Sequence, residues 1–127
     1  MTLTGSHLIA GRESAPHGHF YHGVNPATSA KLEPAYADAT KDEADEALCA
    51  AEGAFDALRL APVETRAALL DAIADEIMAL GDALLERAHA ETGLPMARVT
   101  GERGRAVGQC KLFASLIREG SWADARI

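Results

Sequence analysis

The stretch Leu84–Gly104, "LLERAHAETGLPMARVTGERG", decides how the chain is read. An apolar-periodic segment runs into Thr92, stops at Gly93-Leu94-Pro95 and resumes at Met96. Glycine adopts the left-handed conformation that ends many helices. Proline cannot continue a helix but suits the opening of the next one. The stretch is therefore a helix C-cap joined directly to a helix N-terminus. The resumed pattern runs to about Gly120. Met96, Val99, Arg103, Ala106, Cys110, Phe113 and Ile117 trace one face at helical spacing, and Ala97, Gly101, Gly104, Gly108 and Ser115 trace another. Each interior glycine costs a helix roughly 1 kcal/mol relative to alanine. A row of small residues admits a close-packed backbone. Leu112 and Leu116 add a further apolar edge, so this helix is expected to have neighbours on more than one side.

Working back towards the N-terminus, Gly81 interrupts the preceding pattern and Asp82 is placed to cap a third helix ending near Thr92. A second helix opens with Pro62 in its first turn and Glu64 beside it, with Val63, Ala67, Leu70, Ile73, Ala74 and Ile77 as its inner face. A first helix starts at Thr40. "TKDE" is a capping box, in which the Thr40 hydroxyl accepts from the Glu43 N–H while the Glu43 carboxylate reaches back. Its inner face is Ala44, Leu48, Ala51, Phe55 and Leu58, and it ends near Arg59. Upstream, "HLIA" (7–10) and "HFYHGV" (19–24) flank the turn-rich "GRESAPHG" and read as the two arms of a loose β-hairpin. "KLEPAYADA" (31–39) reads as a third extended segment, which Pro34 confines to an edge or an irregular strand. The expected fold class is α+β and mostly helical. It comprises a hairpin with an extended segment over 1–39 and a helical segment over 40–127, together one partial domain.

Composition narrows the function. The 127 residues include 27 alanines and only 5% aromatics, which favours helices and leaves a thin core. Residues 1–97 carry 6 basic and 16 acidic groups, whereas 98–127 carry 6 basic and 3 acidic ones. With a net charge of -7, neither nucleic acid nor an anionic membrane is expected as a partner. The basic groups Arg98, Arg103, Arg105, Lys111, Arg118 and Arg126 are expected to complement the chain's own acidic helices. Cys49 and Cys110 fall in helical patterns without metal spacing and read as buried, reduced thiols. No apolar run reaches membrane-span length, and "MTLTGSHLIAGRE" lacks the pattern of a secretory leader, so the expected compartment is the cytoplasm. His17, His19 and His22 are close together but lack an evident fourth metal ligand, and read as a solvated turn. His89 reads as a surface histidine, Asp42 to Glu46 as a solvated helix start, and Trp122 as a pin at the end of the last helix.

The ordered set "NPAT" (25–28), "KDEADEALCAAEGAFDAL", "PVETRAALLDAIADEI" and "ETGLP" resembles the start of the aldehyde dehydrogenase superfamily. The closing stretch "ARVTGERGRAVGQCKLFASLIREGSWADARI" resembles its α-ketoglutarate-semialdehyde dehydrogenase branch. The resemblance implies a much longer intact enzyme, a homo-oligomer that binds NAD or NADP and an aldehyde. This chain would be the opening segment of its α/β, Rossmann-like cofactor-binding domain. The family's chemistry uses a thiolate nucleophile, hydride transfer to nicotinamide, a glutamate that activates water and an asparagine at the oxyanion. The resemblance carries none of these roles onto a residue of this chain, and Cys49 and Cys110 do not match the nucleophile's motif. The site residues expected here are none, whether catalytic, cofactor-binding or metal-binding. In some members a monovalent cation is held near the positions of Gly23/Val24 and Glu102, but Arg103 beside the acid argues against it here. The chain alone is expected to be inactive. The other reading is a stand-alone helical interaction module derived from such an enzyme.

Overall fold

A computed structural model of the chain describes residues 3–123. Arg126, one of the expected charge partners, lies outside the described residues. Internal packing groups the chain up to Arg59 with Ala90–Gly93, and Leu60–His89 with Leu94 onward.

The first unit holds two antiparallel ribbons. Strands β1 (His7–Ile9) and β2 (Arg12–Ser14) pair with His7 opposite Ser14 and Ile9 opposite Arg12. Strands β3 (Phe20–Val24) and β4 (Lys31–Ala37) form the second ribbon. A hairpin followed by four helices is what the sequence implies, but the strand partners differ from expectation. Residues 7–10 do not pair with 19–24, because the segment read as a loose loop contains β2 itself. The reason is local: Ala10 and Gly11 both have positive φ (51° and 75°), the conformation of a two-residue hairpin turn that matches strand twist. Closing a two-residue loop costs less entropy than closing the eight-residue one of 11–18.

The β3–β4 connection is stiffened by Asn25, whose Oδ1 accepts from the N–H groups of Ala27 (2.9 Å) and Thr28 (3.3 Å). Strand β4 is irregular, as Pro34 implied: the Glu33–Pro34 bond is cis and the register breaks between His22 and Gly23. Gly5 is required where it stands, because a Cβ there would collide with the Ala35 carbonyl.

Helix α1 spans Lys41–Arg59. Its capping box forms as read: the Glu43 N–H donates to Thr40 Oγ1 at 3.2 Å, and the Thr40 N–H donates to Glu43 Oε2 at 2.9 Å. Thr40→Ala should therefore cost roughly 1 kcal/mol, read as a lower urea midpoint, with Thr40→Ser close to neutral. The start of α1 is tied to the first ribbon by Arg12 Nη2–Glu46 Oε1 (2.6 Å) and by Ser14 Oγ donating to Glu43 Oε1 (3.1 Å). The stripe expected to face inward does not: Leu48 is 69% exposed and Phe55 63%, and α1 buries no residue.

The second unit is built on α2 (Val63–Ala79) and α4 (Met96–Glu119), which make its most extensive helix contact. Helix α3 (Gly81–Thr92) lies between them in sequence, and its last turn groups with the first unit. Pro62 sits at the N-cap of α2, one place before the expected first turn. Asp82 falls inside the first turn of α3 rather than before it, because Gly81, at φ 60°, is already counted in the helix. Gly93 (φ 70°) ends α3, Pro95 stands at the N-cap of α4, and Gly120 (φ 80°) closes α4 with its N–H on the Leu116 carbonyl. A short 3₁₀ turn, Ser121–Ala123, follows.

The buried residues of this unit are Ala67 and Ala74 on α2, Leu85 on α3, and Val99 and Ala114 on α4. The α2–α4 contact is thus centred on alanines, which let the two backbones approach closely but bury little area. The inner face of α4 holds Val99 as expected, with Arg103, Cys110 and Ile117 half-buried, but near its end it turns to Ala114 instead of Phe113. Ala114 is fully buried, while Phe113 beside it is half-exposed. The two differ by about 100° around the helix, and the crowded side takes the smaller residue.

Candidate functional site

Two cations of α4, Arg118 and Lys111, meet acids of α2 as the charge imbalance implied, whereas Arg98 and Arg105 pair within α4 and Arg103 meets a backbone carbonyl. Arg118 grips Glu64 through Nε (2.9 Å) and Nη2 (2.7 Å), and Asp71 through Nη1 (2.7 Å). Lys111 Nζ donates to Asp75 Oδ1 at 2.9 Å. Arg98 and Arg105 both pair with Glu102 on their own helix, at 2.7 and 2.8 Å. Arg103 Nη1 donates to the Gly81 carbonyl at 2.9 Å, tying the middle of α4 to the start of α3. Glu102, the acid considered for a cation, is therefore held between two guanidiniums.

Hydrogen bonds donated by Arg118 hold the Glu64 carboxyl below the ordinary glutamate range, and the one Lys111 donates to Asp75 raises the Lys111 ammonium above its own. A lowered acid stabilises the fold above its unfolded value, and that contribution fades as pH falls through the folded one. A raised lysine contributes below its unfolded value and loses that contribution as pH rises through the folded one. Urea midpoints should thus hold steady through neutral pH and begin to fall below about pH 4. Arg118→Gln should lower the midpoint at neutral pH and shrink the acid-dependent loss, and added salt should act in the same direction on the parent chain.

The histidines do not converge. His17 Nε2 lies 3.7 Å from Glu43, His19 Nδ1 lies 3.1 Å from Asp38, and His22 Nδ1 lies 3.7 Å from Glu33. Each imidazole thus faces a different carboxylate, and among the described residues no three such side chains meet at one point. His89 Nδ1 meets the Leu94 carbonyl at 2.6 Å, so it braces the α3–α4 corner. Of the two thiols read as buried, Cys110 is half-buried and Cys49 is exposed. The exposure of Cys49 goes with that of α1, none of whose residues is buried among the described residues. Trp122 is 54% exposed in the turn after α4 and does not bury itself as a pin.

What remains is the outer face of α4. At about 100° per residue, Gly101, Gly104, Gly108 and Leu112 lie on the side away from Val99 and Ala114. A Cβ added at any of the three glycines would meet nothing within 4 Å. At the N-terminal part of this face, beside Gly101, lies a shallow depression of about 470 Å³, lined by Ala97, Arg98, Gly101, Glu102 and Arg105. Leu112 is 57% exposed at the far end of the face. The face is small-residued and open, without side chains beyond the backbone at its three glycines, and among the described residues it holds no nucleophile–base pair.

A nicotinamide dinucleotide fits poorly to the strand-to-helix junction between β4 and α1. Such a site needs a glycine-rich turn leading from a strand into a helix whose free N–H groups meet the pyrophosphate. The strand-to-helix junction from β4 to α1 is Asp38-Ala39-Thr40, and the first turn beyond it carries Asp42 and Glu43. Those carboxylates would repel a phosphate, and Thr40 and Glu43 already satisfy each other.

This order of ribbon, irregular strand and helices, with the cap at Gly93-Leu94-Pro95, defines a recognised architecture. Residues 13–125 match the Aldehyde dehydrogenase family, and the chain belongs to it. It is 48% identical over its whole length to alpha-ketoglutaric semialdehyde dehydrogenase 2 of Azospirillum brasilense, of which it covers 24%. It is 39% identical over 97% of its length to the alpha-ketoglutaric semialdehyde dehydrogenase of Acinetobacter baylyi, covering 23%. The chain thus spans about a quarter of the length of the curated relatives it matches. Among solved structures, proline utilization A from Bdellovibrio bacteriovorus superimposes with a TM-score of 0.81 at 31% identity, over 90% of this chain and 12% of that one. An NAD-dependent benzaldehyde dehydrogenase from Corynebacterium glutamicum matches in fold, with a TM-score of 0.83 at 20% identity, over 91% of this chain and 25% of that one.

Proposed function

We propose that the chain is the opening part of the cofactor-binding domain of an NAD(P)-dependent aldehyde dehydrogenase that oxidises α-ketoglutarate semialdehyde to α-ketoglutarate. The observation that carries this reading is the end-to-end match to two dehydrogenases of that name. Family membership supports the reaction class, an oxidation of an aldehyde with hydride leaving to a nicotinamide.

In this reading the catalytic thiolate, the water-activating glutamate, the oxyanion asparagine and the phosphate-cradling turn all belong to the remaining polypeptide. Cys49 and Cys110 are structural thiols. The chain contributes packing surface: the glycine face of α4 and the uncovered Leu48–Phe55–Leu58 stripe of α1 meet the rest of the Rossmann-like domain. The intact enzyme is taken to be a cytoplasmic homo-oligomer. Among the described residues, no helix is long and apolar enough to cross a membrane.

The test is an assay of nicotinamide reduction with the semialdehyde and either NAD⁺ or NADP⁺. The 127-residue chain should give no turnover, and a longer enzyme that begins with it should give ready turnover. Turnover by the chain alone would overthrow the placement of the chemistry elsewhere. A longer enzyme that oxidises other aldehydes but not this one would leave the family and remove the substrate.

A further inference from the structure

We draw no further inference here: the strongest candidate, the outer face of α4 along Gly101, Gly104 and Gly108, is a stripe of small residues that belongs to the reading already given, and nothing in the structure shows what covers it.

Discussion

Replacing Gly101, Gly104 and Gly108 together by alanine should stabilise the isolated chain and disable the longer enzyme. Each glycine in a helix interior costs up to about 1 kcal/mol relative to alanine, through backbone freedom lost on folding. In the chain, the added methyl groups would enter open space, with no heavy atom within 4 Å to resist them. The triple variant should gain roughly 2–3 kcal/mol, seen as a higher urea midpoint with an unchanged slope. In an aldehyde dehydrogenase that contains this segment, the same methyl groups would hold off whatever backbone lies against this face. There the variant should lose soluble yield and activity, and Gly104→Leu alone should be worse than the triple alanine. If the longer enzyme tolerates all of these changes, the α4 face is not a packing surface. Destabilisation of the isolated chain would show that the face is already occupied from within.

The second large effect belongs to the α2–α4 contact. Ala74 and Ala114 are both fully buried, and neither has room for a longer side chain without separating the helices. Ala74→Leu and Ala114→Leu should each lower stability by about 1–3 kcal/mol through overpacking. Ala106→Leu, on the same helix but exposed, should be close to neutral. Helical circular dichroism followed in urea would rank them. A chain in which Ala114→Leu proved neutral would mean that α2 and α4 pack more loosely than their alanines indicate.

Much of the local architecture was legible because its causes are local. Thr40 and Glu43 are three residues apart and cap a helix whatever lies beyond it. Gly93 and Pro95 mark a helix stop and start through their own backbone preferences, and Gly120 ends α4 for the same reason. The charge imbalance between the acidic front and the basic end foretold Arg118 with Glu64 and Lys111 with Asp75, though not which acid each would meet. The strand partners were missed because an alanine, not the usual asparagine or aspartate, takes the first left-handed position of the turn before Gly11. The α4 face was legible at Val99, Arg103, Cys110 and Ile117 but not at Phe113, since periodicity favours the larger Phe113 while close helix contact favours Ala114.

The candidate surface was half legible. Glycine spacing pointed to a close neighbour, whereas among the described residues the space beside Gly101, Gly104 and Gly108 is open. The exposure of Cys49 and of the α1 stripe could not be foreseen, because an apolar periodicity specifies a face to be covered and does not say by what.

Amino-acid order alone determined the helices, the Thr40–Glu43 box, the Gly93 and Gly120 stops and the family to which the chain belongs, since these rest on backbone preferences and on ordered motifs close together along the chain. Tertiary structure decided which strands pair, that alanines rather than large side chains centre the α2–α4 contact, and that α1 and the outer side of α4 stand uncovered. Those outcomes depend on how closely two backbones approach, a distance set by every side chain between them and by no single position.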